Sequence, residues 1–192
     1  MTDRSVMTAD DVRRTLVRLG HEIVERHGGT DGLVIVGIQR RGAVLARRIA
    51  AEIARSEGVR LPVGTIDISL YRDDLSEVAS HPIVRPTELP FELHERTVIL
   101  VDDVLFTGRT VRAAMDSLVD HGRPGAIRLV VLIDRGHREL PIRPDHIGRT
   151  VPSSRQERVN VHVEEIDGDD GVAIGQPVRP GGAAANGSQA TG

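Results

Sequence analysis

The stretch Val98-Ile99-Leu100-Val101-Asp102-Asp103-Val104-Leu105-Phe106-Thr107-Gly108-Arg109-Thr110 decides how this chain folds. Four aliphatic residues in a row, Val98 to Val101, predict a strand buried on both faces, as strands of parallel sheets are. That strand sets where Asp102 and Asp103 emerge. A Thr-Gly-Arg-Thr turn follows, and Val111 to Val119 has helical spacing until Gly122 and Pro124 stop it. Two adjacent carboxylates can accept hydrogen bonds from neighbouring hydroxyls, as on a ribose, and can help hold a hydrated divalent ion. The turn offers backbone N–H groups at the positive end of a helix, where an anion is favoured. Gly108 lets backbone approach that anion closely, and the Thr107 and Thr110 hydroxyls add donors. Asp-Asp alone reads most simply as two solvated acids. The whole run points to a phosphorylated sugar. The metal-binding strand of a nucleoside triphosphatase would need a Gly-rich loop ending in Lys-Ser or Lys-Thr, and the chain has no Lys.

The same strand-then-helix grammar recurs along the chain. Thr8-Ala9-Asp10-Asp11 reads as a helix start, and Val12, Leu16, Leu19 and Ile23 recur at helical spacing up to Gly28-Gly29. Leu33 to Val36 is a buried strand. The loop Gly37 to Gly42 follows it and opens a helix with Val44, Leu45, Ile49 and Ile53 on one face, closed by Gly58. Val63 to Leu70 and Ile127 to Ile133 are further strands, with Val159 to Val163 and Val172 to Ile174 as shorter ones. Tyr71 to Glu95 and Asp134 to Arg158 have no clear period and read as irregular. This alternation predicts an α/β fold with a mostly parallel central sheet flanked by helices, whose ligands bind at the carboxyl ends of its strands. Both Gly37–Gly42 and Asp102–Thr110 fall at such ends. Residues 1–175 are expected to form one domain, and the Gly/Ala/Ser/Pro-rich 176–192 a disordered tail.

Composition bounds the rest. Of 192 residues, 39% are hydrophobic but only 2% aromatic, so the core is aliphatic. There is no Cys, which excludes disulfides and thiolate metal sites. No apolar run approaches the roughly 20 residues of a membrane span, and Met1 to Asp11 lacks a signal-peptide core, so a cytoplasmic protein is expected. All 25 basic residues are Arg, a pattern that a GC-rich coding bias explains. It leaves any anion site to Arg and backbone N–H groups. The histidines show no metal-ligand spacing.

The thirteen residues resemble the phosphoribosyl pyrophosphate (PRPP) motif of type I phosphoribosyltransferases. Three blocks carry the resemblance further: Ser69–Leu75, Asp103–Ala113 and Asp134-Arg135-Gly136-His137-Arg138-Glu139-Leu140-Pro141-Ile142-Arg143. Together they look like the bifunctional family of pyrimidine operon regulators that are also uracil phosphoribosyltransferases, over about residues 5 to 175. The last block is the most specific, because phosphoribosyltransferases in general do not share it.

The resemblance implies a type I phosphoribosyltransferase fold and a set of roles. Asp102 and Asp103 would bind the ribose hydroxyls. Val104, Leu105, Phe106, Thr107, Gly108, Arg109 and Thr110 would cradle the 5′-phosphate. Gln39, Arg40 and Arg41 would belong to the pyrophosphate loop. By their charge alone Arg40 and Arg41 read as a solvated turn. Tyr71 to about Pro90 would be a lid, with Arg72 meeting pyrophosphate on closure and water being excluded. Residues 134 to about 158 would form a hood over uracil, with Asp134, Arg135 and Val159 at the base. Magnesium would be held near Asp102, Asp103 and Asp134, directly or through water or substrate. The reaction implied is uracil plus PRPP giving UMP and pyrophosphate, with no residue marked as a general base.

The family also implies a regulator that binds the messenger RNA leader of the pyrimidine operon in response to UMP and UTP. Residues 135–158 hold six Arg against Glu139, Asp145 and Glu157, in a chain of net charge −3, and the acids gather instead in Glu164 to Asp170. Such asymmetry fits phosphate binding, although Arg-rich loops on enzymes are common. His21, Arg138, Arg143 and Arg149 are the RNA contacts carried over. Val17 departs from the pattern, since a hydroxyl residue is expected there. A homodimer or larger assembly would double the basic footprint. Two other readings stay open: a transferase for another base, such as a purine, with no regulatory role, and a nucleotide-responsive regulator with little transferase activity.

Overall fold

The computed structural model describes residues 3–68 and 87–175. Arg72 and most of the expected lid, and the whole expected tail 176–192, lie outside the described residues. The elements in chain order are β1 (Arg4–Met7), α1 (Ala9–His27), β2 (Leu33–Ile38), α2 (Arg41–Glu57), β3 (Val63–Ile66) and β4 (Thr97–Leu105). They continue with α3 (Arg109–His121), β5 (Ala126–Asp134), β6 (His146–Thr150), β7 (Arg158–His162), α4 (Glu164–Asp167) and β8 (Gly171–Gly175).

Five strands form one sheet in the order β3-β2-β4-β5-β6, and every pairing in it is parallel. Side chains alternate between its faces, which explains the unbroken apolar runs. Leu33 and Ile35 of β2, with Ile99 and Val101 of β4, pack under α1 and α2. Val34, Val36, Val98 and Leu100 pack against Val111, Ala114 and Leu118 of α3 on the other side. Burying each such Leu or Ile is worth about 1.5–3 kcal/mol. A second, antiparallel sheet of three strands runs β1-β8-β7, and Val161, Val172 and Ile174 join it to the α1/α2 side of the core.

The helix ends follow their local chemistry. Thr8 caps α1 in a reciprocal box with Asp11, Thr8 Oγ1 accepting from Asp11 N–H at 3.2 Å and Asp11 Oδ2 accepting from Thr8 N–H at 3.0 Å. Gly28 and Gly58 close α1 and α2 in the left-handed conformation.

Three local expectations change. The strand through Val98–Val101 does not end at the acids but continues to Leu105, because β5 keeps pairing alongside it, Val104 with Ile133 and Leu105 with Asp134. Asp134 to Arg158 is not wholly irregular: it contains β6, aligned on β5 through Val130–His146 and Ile133–Arg149. Arg4–Met7 is a strand, which its polar sequence did not signal, because its partner β8 lies at the far end of the described chain.

Candidate active site

Parallel strands point their carboxyl ends to one edge, and four chain segments meet there. Gly37, one residue before the end of β2, lies against the start of α2. A Cβ on Gly37 would lie 2.4 Å from Ala43 Cα, and one on Gly42 would lie 2.5 Å from the Val101 carbonyl oxygen and 3.2 Å from Asp102 Cα. The two glycines let the loop Gly37–Gly42 fold onto the middle of β4, at Val101–Asp102. This backbone contact sets the loop beside the acid pair, where the Arg41 charge acts on Asp103. Gln39 is anchored by its N–H to the Ile66 carbonyl at 2.9 Å and by Nε2 to Thr65 Oγ1 at 3.2 Å. Arg40 is exposed. Arg41 donates from Nε and Nη2 to the Asp167 carboxylate at 3.1 and 2.7 Å.

Asp102 is only 5% exposed, although it sits at the ligand end of the strand. Asp102 Oδ1 accepts the Asp103 N–H at 3.0 Å, and Asp103 Oδ1 accepts the Val104 N–H at 2.9 Å. Burial, and then the neighbouring Asp103 charge, push the Asp102 carboxyl well above the usual carboxylate range. Burial also raises Asp103, opposed by its hydrogen bonds and by the Arg41 charge. A buried carboxyl beside a half-buried one gains from a cation, which fits magnesium held by one or two carboxylates and substrate oxygens. Among the described residues, no cluster of three or more His, Asp or Glu side chains forms a metal site. Asp134 does not join the pair. It pairs with Arg138 Nη2 at 2.7 Å and accepts the Gly136 N–H at 3.0 Å.

Past the acids, Val104, Leu105 and Phe106 lead to Thr107. Gly108, at φ 94°, turns the chain into α3 and offers no side-chain cap. The first-turn N–H groups therefore face the same edge as an anion site. Arg109 N–H reaches back to Thr107 Oγ1 at 3.4 Å, and Thr110 is exposed in the first turn of α3. The Thr107 carbonyl accepts from the Glu139 and Leu140 N–H groups, tying this turn to the hood.

Within the hood, Arg135 is 8% exposed. Its guanidinium lies 4.3 Å over the Phe106 ring and donates to Ser153 Oγ at 3.1 Å and to the Ser154 carbonyl at 2.6 Å. Val159 sits half-buried on β7, paired with Ile174. Arg138 is spent on the hood itself, donating to the Phe106, Gly136 and Ile142 carbonyls besides pairing with Asp134. Of the other basic positions, His21 and Arg143 are exposed, and Arg149 is exposed while donating to the Val6 carbonyl at 2.5 Å. Much of the remaining basic charge of α1 is neutralised locally: Arg13 and Arg14 pair with Asp10, and Arg18 and Arg26 with Glu22. The sequence reading placed no role on Asp167, the partner of Arg41. Its only signal was the gathering of acids from Glu164 to Asp170.

A strand-end acid pair, a glycine-hinged loop pressed against it and a helix opening beside both are the parts of a phosphoribosyltransferase. Residues 11–161 match the phosphoribosyl transferase domain family. The chain belongs to the family of the bifunctional protein PyrR. It is 58% identical over 172 residues to the bifunctional protein PyrR of Chloroflexus aurantiacus, covering 90% of this chain and 94% of that one. It is 56% identical to that of Deinococcus deserti over 88% of this chain and 93% of the relative. Among solved structures, a hypoxanthine phosphoribosyltransferase from Staphylococcus aureus superposes with a TM-score of 0.66 at 21% identity, over 92% of this chain and 93% of that one. The Trypanosoma cruzi hypoxanthine phosphoribosyltransferase in complex with IMP gives 0.68 at 16%, over 92% and 94%. At such identities the likeness is one of fold alone. The chain is therefore a phosphoribosyltransferase, and no helix among the described residues is long and apolar enough to cross a membrane.

Proposed function

We propose that this enzyme joins C1 of PRPP to uracil, releasing pyrophosphate and forming UMP, and that it regulates the pyrimidine operon by binding its messenger RNA leader. The observation that carries the transferase reading is the contact of Gly42 with Val101 and Asp102 of β4, which seats the Arg40-Arg41 loop beside the acid pair. Asp102 and Asp103 bind the ribose hydroxyls. Arg40 and Arg41 neutralise pyrophosphate, and Thr107 to Thr110 hold the 5′-phosphate on the α3 N-terminus. Asp102 and Asp103 also hold magnesium, which when bound supplies charge neutralisation for the leaving pyrophosphate. Asp134, already paired with Arg138, orients the hood. Arg135, fixed by Phe106, Ser153 and Ser154, holds the hood backbone where the base edge is read. Arg72 is the lid residue that meets pyrophosphate. Catalysis rests on positioning and electrostatics, with no side chain assigned as general base.

The regulatory half is supported by kinship with the PyrR proteins, at 54–58% identity, and by the exposed His21, Arg143 and Arg149. Arg138 contributes to this face by shaping the hood. A transferase for another base with no regulatory role is not favoured, because the hypoxanthine enzymes share the fold alone. We infer a homodimer or larger homo-oligomer, which multiplies the basic face, and a cytoplasmic location. The deciding experiment is a titration with the pyrimidine operon leader RNA, with and without UMP, beside a transfer assay offering uracil and hypoxanthine. Tight, UMP-enhanced, leader-specific binding with uracil transfer is expected. Sequence-blind binding that ignores UMP would reduce the protein to a transferase. Light scattering showing only monomer at micromolar protein would remove the oligomer.

A further inference from the structure

Arg41 and Arg48 stand seven residues apart on α2 and so share one face of it. Both grip the acidic turn around α4. Arg48 donates from Nε and Nη2 to Glu165 at 3.0 and 2.6 Å, and from Nη1 and Nη2 to Asp170 at 2.8 and 2.9 Å. Arg41 takes Asp167 alone, at 3.1 and 2.7 Å, through its Nε and Nη2 edge. Asp167 is itself held: its Oδ2 accepts the Val163 N–H at 2.9 Å, and its side chain is 17% exposed. The acids that the sequence gathers between Glu164 and Asp170 thus serve two different arginines. One of those arginines belongs to the loop at the acid pair.

We propose that Asp167 is a positioning residue for the transfer reaction, holding the Arg41 guanidinium by one edge so that the Nη1 edge is presented to pyrophosphate. This rests on the reading of Arg41 as a pyrophosphate ligand. A guanidinium is a rigid fork, so fixing one edge fixes the direction of the remaining donors. A free Arg41 side chain would have to give up its rotamer freedom on each binding event. The pairing also links the far end of the chain to the loop after β2. Asp167 carries a negative charge beside an anion site, so two opposite outcomes are physically available. As a positioning group its loss weakens PRPP binding; as a competitor its loss tightens it.

Steady-state kinetics of the full chain with PRPP and uracil distinguish these. Asp167→Asn keeps the acceptor for Val163 but loses the charged fork. It is expected to raise KM for PRPP about tenfold and to weaken product inhibition by pyrophosphate by the same factor. KM for uracil should stay near that of the unmodified chain. Glu165→Gln, which loosens only the Arg48 grip, should lower the melting temperature and leave KM for PRPP alone. The double variant Arg41→Ala/Asp167→Asn should be no worse than Arg41→Ala, and additive losses would contradict action through Arg41. An unchanged or lowered KM for PRPP in Asp167→Asn, with a raised one in Arg41→Ala, overturns the positioning role and leaves the reading of Arg41 intact. An unchanged KM in Arg41→Ala removes that reading and the proposal with it. Should Asp167→Asn fail to fold, Arg41→Lys keeps the charge without the fork. It must then show the same rise, and a KM equal to that of the unmodified chain overturns the proposal.

Discussion

Gly42 touches β4 backbone to backbone: a Cβ there would stand 2.5 Å from the Val101 carbonyl oxygen. No side chain can rotate away to relieve that clash, because the obstacle is main chain at the centre of the sheet. Gly42→Ala is therefore expected to push the loop off the acid pair, destabilise the fold by about 1–3 kcal/mol and raise KM for PRPP at least tenfold. Thermal unfolding and initial-rate kinetics check the two effects. An alanine variant with normal stability and kinetics would mean that the loop is not seated on β4.

Burial gives the acid pair a pH-dependent effect on stability. Both carboxyls have their pKa raised by burial, so the folded state holds protons more tightly than the unfolded one. Their contribution to stability is complete below the ordinary carboxylate range and is lost as pH rises through the folded values. Wherever the pH is high enough to ionise it, the buried Asp102 carboxylate costs the ligand-free protein stability. Asp102→Asn is expected to stabilise the ligand-free protein at pH 7–8 by about 1–4 kcal/mol, an advantage that fades as pH falls, while abolishing PRPP turnover. Urea titrations at several pH values, alongside activity, make the comparison.

His146 moves the opposite way. It is 4% exposed, its Nδ1 lies 3.1 Å from Glu22 Oε1, and Arg26 and Asp145 are its other charged neighbours. Burial lowers its pKa below 6.5 despite the pull of Glu22. A depressed histidine contributes stability that is present above the unfolded value and lost as pH falls through the folded one. Stability should therefore decline on acidification from about pH 6.5. In His146→Gln that decline should be shallower, as read from denaturant midpoints between pH 5 and 8.

RNA binding should divide the arginines by how they are employed. Arg143 is exposed, so Arg143→Ala is expected to lower the slope of log affinity against log salt by about 1, with transferase kinetics unchanged. Arg138 is fixed to hood carbonyls and Asp134, so Arg138→Ala should damage uracil transfer as well as RNA binding. Filter binding at several salt concentrations, with parallel kinetics, tests both.

The contrast between Arg138 and Arg143 shows what sequence conveys about this molecule. Repeated patterns came through: the aliphatic runs became β2, β4 and β5, and the Thr8 and Gly28 signals bounded α1, because caps and two-sided burial are local in origin. The acid pair and the turn into α3 came through as a contiguous string. Partners did not. A count of six arginines cannot tell one that lines carbonyls from one that faces water. The Arg41–Asp167 pair spans 126 residues, beyond any local pattern. β6 escaped notice because His146-Ile147-Gly148-Arg149-Thr150 has little apolar content, and its place is set by β5 alongside it.

The order β1-β8-β7 has a consequence for how the chain is made. Among the described residues, β1 pairs with β8, and β8 is its one neighbour in that sheet. Residues 4–7 must therefore wait, as an open edge, until residue 175 has been synthesised, while the parallel sheet can assemble from β2 onward. The segment 158–175 carries Asp167, the partner of Arg41, so a chain stalled before that point would present the Gly37–Gly42 loop without this ion pair.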